Sequence, residues 1–366
     1  MTASAAPAFQ VTDLWMQAPL LVLAVFGLLL VVVEAFASGQ RRDFMIHLTV
    51  AGCAAAALCG VILARQLGDE VHPVFGGMLV ADRTGMFFAV LLSAVAGATA
   101  LVLGAHQREH NWQVGEVYPI LLLSAAGMVM LAMAGDLVTV FIGIETMSLG
   151  VYVLTASRRR SRRGAEAAMK YFLMGAFATA ILLYGIALCY GATGTTSLAG
   201  IRAAIAGAGP TPLVVVGTFL LIGAFAFKVA AIPFHMWAPD AYEGAPTPVT
   251  GFMATAVKVA AFAAILRVFA GALGGDVMPY GKMGWASIFA ALAAATMIIG
   301  NIAALRQDNI KRMLAYSSIS HAGVVLVGVV ALGVGGGKMA HAAVLYYLAA
   351  YSVTTLGAFA VITWIG

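Results

Sequence analysis

Three charged residues, Glu145, Lys228 and Lys258, stand inside long apolar runs, and they are the residues of this chain most able to do chemistry. Because an α-helix rises about 1.5 Å per residue, Glu145 and Lys258 fall near the middle of their runs. Lys228 lies at the centre of a run that a proline interrupts. A charge at the centre of a membrane helix costs about 2.5–3.5 kcal/mol to insert, so all three need an explanation.

Proton transfer is the chemistry that this set of charges suits. Burial favours the neutral amine of a lysine, whereas a nearby carboxylate favours its ammonium form. An ion pair at 4 Å contributes about 4 kcal/mol at an effective dielectric of 20, enough to switch a buried lysine between holding and releasing a proton. We therefore predict a proton pathway through Glu145, Lys228 and Lys258, with Glu145 and Lys228 within salt-bridge reach. The alternative is a structural ion pair, which leaves one lysine unmatched.

Two histidines, His235 and His321, are candidates for the same pathway. His235 follows Pro233 near the end of the interrupted run, and His321 lies about ten residues into its own run, among serines. A buried histidine is equally compatible with a proton relay and with a satisfied core position, so both interpretations stay open.

The composition requires that these residues lie in membrane helices. Hydrophobic residues make up 62% of the 366 residues and charged residues 10%, with a mean hydropathy of +0.98. A soluble domain has about 25% charged residues. Since a membrane helix needs about 20 apolar residues, we predict an all-α, polytopic transmembrane bundle forming one domain over 1–366. The predicted helices are 17–37, 44–64, 79–104, 116–134, 136–157, 167–191, 211–237, 248–271, 283–304, 312–334 and 338–365.

The run 211–237 is predicted to be a broken helix. Pro233 removes a backbone hydrogen bond and clashes with the carbonyl four residues earlier. Broken helices at membrane depth usually line a polar cavity, because the freed backbone groups need partners.

Several other classes of site are excluded or disfavoured by the sequence. Gly337-Lys338 lacks the remaining residues of a phosphate-binding loop. Cys53, Cys59 and Cys189 lie in apolar runs without metal spacing and are predicted to pack as small hydrophobic residues. We expect no metal site, no cofactor site and no strands, and the basic residues indicate membrane topology and not nucleic acid.

Arg267 and a group of tyrosines have simpler predicted roles. Arg267, near the end of its run, is expected to extend to the membrane interface. Tyr346, Tyr347 and Tyr351 form an aromatic stripe that we interpret as helix packing.

Four stretches of the chain resemble subunit N of bacterial NADH–quinone oxidoreductase (respiratory complex I), an antiporter-like family. They are 136–154 (DLVTVFIGIETMSLGVYVL), 170–195 (KYFLMGAFATAILLYGIALCYGATGT), 227–252 (FKVAAIPFHMWAPDAYEGAPTPVTGF) and 309–323 (NIKRMLAYSSISHAG). The last two stretches also resemble sister subunits and multisubunit cation/proton antiporters.

The resemblance implies fourteen helices with two inverted five-helix repeats, each with one broken helix. It places the family's glutamate and two lysines at Glu145, Lys228 and Lys258, and its histidine at His235. It further implies that other membrane subunits are the partners, and that NADH, flavin, iron–sulfur clusters and quinone are used by partner subunits. The implied location is the bacterial inner membrane.

The resemblance also implies which parts of the family's fold this sequence holds. Helices 4–8, at about 116–271, correspond to one complete repeat, whereas the second repeat, from about 283, is incomplete. About eleven of the fourteen helices are present when the sequence reaches Gly366, so we expect a truncated chain. The function that the resemblance implies is that of the proton-pumping membrane-arm subunit of NADH–quinone oxidoreductase. The alternatives are a subunit of a cation/proton antiporter and a structural membrane subunit.

The orientation follows from the distribution of Lys and Arg between alternate loops. With the N-terminus outside, the inner ends hold twelve basic residues and the outer ends six. The inner set is Arg41, Arg42, Arg108, Arg158, Arg159, Arg160, Arg162, Arg163, Lys170, Arg306, Lys311 and Arg312. The outer set is Arg65, Arg83, Arg202, Arg267, Lys282 and Lys338.

We therefore expect a periplasmic N-terminus and a cytoplasmic arginine run at 158–163. The measurement is the labelling of single cysteines, placed at each of these sites, by a reagent that does not cross the membrane. Only the N-terminal cysteine should react in intact cells. Labelling of both sites from the same side would contradict the predicted number of helices between them.

Overall fold

The computed structural model describes residues 10–36, 43–112, 114–278, 281 and 284–365. Some residues used in the sequence analysis lie outside this part: the first nine residues, the basic residues Arg41, Arg42 and Lys282, and Gly366.

Helices dominate the described residues, and ten of them are long and apolar enough to cross a membrane. These ten are α2 (Ala18–Phe36), α3 (Asp43–Gln66), α4 (Arg83–Glu109), α6 (Leu137–Thr155), α7 (Arg162–Thr193), α9 (Pro212–Val229), α11 (Thr247–Ala272), α12 (Trp285–Ala304), α13 (Ile310–Gly333) and α14 (Gly337–Ile365). The shorter helices are α1 (Val11–Met16), α5 (Val117–Ala132), α8 (Leu198–Ala208) and α10 (Trp237–Gly244).

Each of the eleven predicted apolar runs contains a helix, which confirms the polytopic helical bundle. Helices α1 and α8, and α10 beyond its first residue, were not predicted from the sequence. An antiparallel hairpin of two three-residue strands, β1 (His72–Val74) and β2 (Leu79–Ala81), is also present, so the expectation of no strands was wrong. The hairpin contacts the segment directly after α5, where the Val80 N–H donates to the Met133 carbonyl at 2.7 Å.

Two cavities are lined by basic residues of the two predicted sets. Residues Arg202, Arg267 and Lys338, which the charge count places outside, line one cavity of about 1520 Å³. Residues Arg163 and Lys170, which it places inside, line a separate cavity of about 250 Å³. The residues of the two predicted sets that line these cavities are thus found in separate places, and the orientation of the chain stays a prediction.

Close packing of α5 on α6 fixes the helix that carries Glu145. A Cβ on Gly143 would lie 3.0 Å from the backbone nitrogen of Leu131 and 3.1 Å from the carbonyl of Gly127. At these separations a larger residue would push the two helices apart, so glycine allows the backbones to approach.

The predicted broken helix is present, and its two halves are α9 and α10. Helix α9 ends at Val229, and Ala230 adopts a left-handed conformation with φ of 58°. A residue with a Cβ adopts this conformation at an energetic cost. It therefore persists only where the surrounding structure imposes it. The chain resumes as a helix at Trp237, four residues beyond Pro233.

Neighbouring groups satisfy the backbone at this break. The Ile232 N–H donates to the Thr296 hydroxyl of α12 at 3.0 Å, and the Trp237 indole N–H donates to the Phe227 carbonyl at 2.9 Å. The Trp237 ring also stacks on Tyr171 of α7 at 4.2 Å between centroids. These contacts replace the hydrogen bonds that a continuous helix would have made.

Helix α11, which carries Lys258, is buried on all sides through most of its length. It packs against α4, α5, α9 and α14. Two wide π turns interrupt its α-helical geometry, at Met253–Val257 just before Lys258 and at Leu266–Ala272 near its end. Wide turns of this kind are rare, and many of those known lie at functional sites.

We expect Thr296→Val to destabilise the protein because it leaves the buried Ile232 N–H without its acceptor. Valine has the shape of threonine, so the loss is that of a hydrogen bond, with a cost of about 1–3 kcal/mol. The measurement is the thermal unfolding of the purified complex. Thr354→Val is the control, since the Thr354 hydroxyl is exposed and donates only within α14. Equal stability of the two variants would show that Thr296 does not support the break.

Candidate functional site

The candidate site lies where α6, α7 and the end of α9 meet, and it continues to α11 and α13. Lys228 and Lys258 are each only 2% exposed, whereas Glu145 is half-buried. The bundle therefore excludes solvent most completely around the two lysines.

Lys228 occupies the last turn of α9, directly before the break. Its Nζ donates to the Ser148 hydroxyl of α6 at 2.8 Å, and that hydroxyl donates to the Ile144 carbonyl at 2.5 Å. The carbonyl end of a helix carries a partial negative charge, which stabilises a cation there. The break thus gives Lys228 an electrostatically favourable place inside the bundle.

Glu145 and Lys228 do not form the direct ion pair that the sequence analysis predicted. Among the described residues, the contact of the Glu145 carboxylate is with the Thr179 hydroxyl of α7, which donates to Oε1 at 2.7 Å. Ser148 lies three residues after Glu145 on the same face of α6. Its hydroxyl, and not the Glu145 carboxylate, accepts the hydrogen bond from Lys228. The two charged side chains are thus connected through neighbouring residues of α6 and not by a direct contact.

Lys258 has a neutral partner on a different helix. Its Nζ donates to the backbone carbonyl of Ser318 in α13 at 2.6 Å. The Ser318 hydroxyl is 2.7 Å from the hydroxyl of Tyr351 in α14, and that phenol donates to the Ala254 carbonyl at 3.1 Å. Three helices therefore contribute to the surroundings of this one amine.

His321 lies one turn beyond Ser318 on α13. Its Nδ1 is 2.6 Å from the Tyr347 hydroxyl, and its ring lies 5.2 Å from that of Tyr351. The interpretation of the tyrosine stripe as packing alone was therefore incomplete. Tyr347 and Tyr351 are hydrogen-bonded to polar groups near Lys258, whereas Tyr346 is exposed.

His235 lies apart from the two lysines, in the segment between α9 and α10. Its ring faces Tyr316 of α13 at 6.2 Å between centroids. Its Nδ1 is buried and has no hydrogen-bond partner among the described residues. The side chain therefore stands between the two halves of the broken helix, beside α13.

Charged side chains of α7 and α13 hold α10 in place. Asp240 pairs with Arg312 at 2.7 Å and with Lys170 at 3.2 Å. The Arg312 guanidinium, which donates to this carboxyl group, keeps the pKa of Asp240 below its usual value. Lys311 donates to the carbonyls of Glu243 and Ala245 at 3.0 and 2.6 Å and so caps the end of α10.

Arg267 lies against the start of α4, where an acidic partner holds its guanidinium. Its guanidinium makes two hydrogen bonds to Asp82, at 2.5 and 2.6 Å, and its Nε donates to the Ala132 carbonyl at 3.0 Å. Both charged side chains are about 15% exposed. A carboxylate directly before α4 therefore holds the arginine at this end of the helix, and its expected extension to the interface stays a prediction.

Three residues of the site that carry hydroxyl groups were not predicted from the sequence: Ser148, Thr179 and Tyr351. Only Ser148 had a signal in the sequence, because a polar residue three positions after Glu145 shares its helix face. The three cysteines are free, and no group of three His, Cys, Asp or Glu side chains within the described ranges could hold a metal ion.

Fold and site together define a polytopic membrane protein with buried lysines beside a broken helix, and comparisons with known proteins identify its family. The family model of the transmembrane region of NADH:quinone oxidoreductase and Mrp antiporters matches residues 134–366. Subunit N 1 of the NADH-quinone oxidoreductase of Sorangium cellulosum is 49% identical over 357 residues, covering 93% of this chain and 70% of the relative.

Two solved structures share the fold. A chain of respiratory complex I from Thermus thermophilus with bound aureothin has a TM-score of 0.76 and 35% identity, over 94% of this chain and 70% of that one. A chain of the Mrp complex from Dietzia sp. has a TM-score of 0.79 but 26% identity, over 96% of this chain and 64% of that one. The higher identities favour the oxidoreductase branch. This chain therefore belongs to the subunit N family of NADH-quinone oxidoreductases.

Proposed function

We propose that this chain is a membrane-arm subunit of an NADH–quinone oxidoreductase and moves protons across the membrane. The observation that carries the proposal is the pair of lysines buried in the bundle, each hydrogen-bonded to a neutral oxygen. NADH oxidation and quinone reduction, with flavin and iron–sulfur clusters, take place in partner subunits and drive the proton transfer.

Neutral partners suit a lysine that must change its protonation state. A lysine paired with a carboxylate is held as an ammonium ion by the attraction between opposite charges. The Ser148 hydroxyl accepts a hydrogen bond from the ammonium form of Lys228, and it can donate one to the neutral amine if its hydrogen turns away from the Ile144 carbonyl. The arrangement therefore accommodates both forms of this lysine.

Glu145 acts as the charge that changes the balance at Lys228. Its carboxylate is held by Thr179 and not by the lysine itself, so a movement of α6 against α9 can strengthen or weaken the attraction without breaking a direct bond. Lys258 is the next carrier, and His321 with Tyr347 lies beyond it. His235 serves the inner half of the broken helix, where protons enter.

The membrane in question is the inner membrane of a bacterium, with the N-terminus in the periplasm. The excess of basic residues at one set of helix ends supports this orientation. Other membrane subunits of the same complex are the partners, and the surrounding lipid covers the remaining exposed apolar side chains.

We expect Glu145→Ala to lower proton pumping. Removal of the carboxylate changes the free energy of placing a charge on Lys228 by about 1–4 kcal/mol. Pumping is measured with a pH-sensitive dye in membrane vesicles that contain the assembled complex. Glu109→Ala, at the exposed end of α4, is the control. Full pumping in an assembled Glu145→Ala complex would remove Glu145 from the mechanism.

We expect Lys258→Ala to lower pumping and coupled quinone reduction while the complex still assembles, because Lys258 carries protons and does not hold the fold. The measurements are the amount of assembled complex, NADH oxidation and vesicle acidification. Lys338→Ala, which changes an exposed lysine at the start of α14, should leave all three unchanged. A failure of Lys258→Ala to assemble would favour a structural role.

A further inference from the structure

The Tyr351 hydroxyl contacts both sides of the Lys258 site. Tyr351 is 6% exposed and reaches from α14 into the space between α11 and α13. On α13 its hydroxyl is 2.7 Å from the Ser318 hydroxyl, and on α11 it donates to the Ala254 carbonyl at 3.1 Å. One phenol therefore links the helix that carries the lysine to the helix that accepts its hydrogen bond.

The number of available hydrogens shows what this link can do. A phenol has one hydrogen to donate, and the Ala254 carbonyl receives it. The Ser318 hydroxyl must therefore donate to the Tyr351 oxygen. A backbone carbonyl has no proton of its own to pass on, so the chain of hydrogen bonds ends at Ala254. In this arrangement the Tyr351 contact positions groups and does not conduct protons.

The groups that it positions are those that place the Lys258 amine. Ala254 lies four residues before Lys258, inside the π turn Met253–Val257. A π turn departs from the regular backbone hydrogen bonding of an α-helix, so an outside donor stabilises it. Ser318 supplies the carbonyl to which Lys258 donates. The phenol thus restrains the backbone under the lysine and the residue on which its amine rests.

We propose that Tyr351 is a positioning residue for Lys258 and holds its amine against α13 for proton transfer. This inference rests on the proposed function, because it assigns to Tyr351 an effect that passes through Lys258. It also predicts that the hydroxyl matters and that the aromatic ring alone is insufficient.

The first test compares Tyr351→Phe, which keeps the ring and removes the hydroxyl, with the unaltered complex. The loss of one hydrogen bond at this site should lower coupled proton pumping about fivefold at an unchanged amount of assembled complex. Two controls remove a hydroxyl elsewhere on α14: Tyr346→Phe at an exposed position, and Ser352→Ala at a buried one where the hydroxyl bonds only to Leu348. Both should pump normally. Normal pumping by Tyr351→Phe would overturn the inference.

The second test separates positioning from packing. If Tyr351 acts through Lys258, then Tyr351→Phe should cause no further loss of pumping in a Lys258→Ala background. A packing role would lower pumping or assembly by a similar factor in both backgrounds and would overturn the inference. Normal pumping by Lys258→Ala alone would instead contradict the proposed function, so the two failures are distinguishable.

Discussion

The break between α9 and α10 is the feature on which the rest of the site depends. In hydrocarbon every backbone N–H and C=O needs a partner within the protein, so a helix can end there only where other groups replace its hydrogen bonds. Thr296 of α12 and Trp237 supply two of those bonds. Once the break is satisfied, its carbonyl end provides a place for the Lys228 ammonium, which an unbroken apolar helix could not offer.

Some cations of this protein pair with a carboxylate, and others bond to a neutral oxygen. Near the helix ends, Arg267 pairs with Asp82 and Arg312 pairs with Asp240, and these pairs fix α11 and α10 to their neighbours. Deeper in the bundle, Lys228 and Lys258 donate to a hydroxyl and a carbonyl. Removing one member of a buried ion pair leaves an uncompensated charge, so such pairs suit fixed positions. A lysine on a neutral oxygen can lose its proton without leaving a charged partner behind.

The helices, the break and the three buried charges could be predicted from the sequence, because each leaves a local signal. Apolar runs give the spans, Pro233 gives the break, and a charge within such a run is conspicuous. The partners could not be predicted. Lys258 bonds to Ser318, 60 residues away, and Tyr351 to Ala254, 97 residues away. These contacts depend on how each helix is rotated about its axis, which hydropathy does not determine when most faces of a helix are apolar. Arg267 illustrates the same limit, since the sequence suggested where its side chain extends but did not identify Asp82 as its partner.

The neutral surroundings of Lys258 place a requirement on the helices around it. A hydroxyl or carbonyl partner gives less electrostatic stabilisation than a carboxylate, so its contribution depends on short and well-directed hydrogen bonds. Rigid neighbours can provide such geometry where charge cannot. Helix α11 is buried on all sides. The Tyr351 hydroxyl is hydrogen-bonded both to the π turn of α11 and to Ser318. A small displacement of α14 or α13 would therefore change the hydrogen bonding of Lys258 directly. Under the proposed function, this sensitivity gives a movement in partner subunits a route to the Lys258 amine.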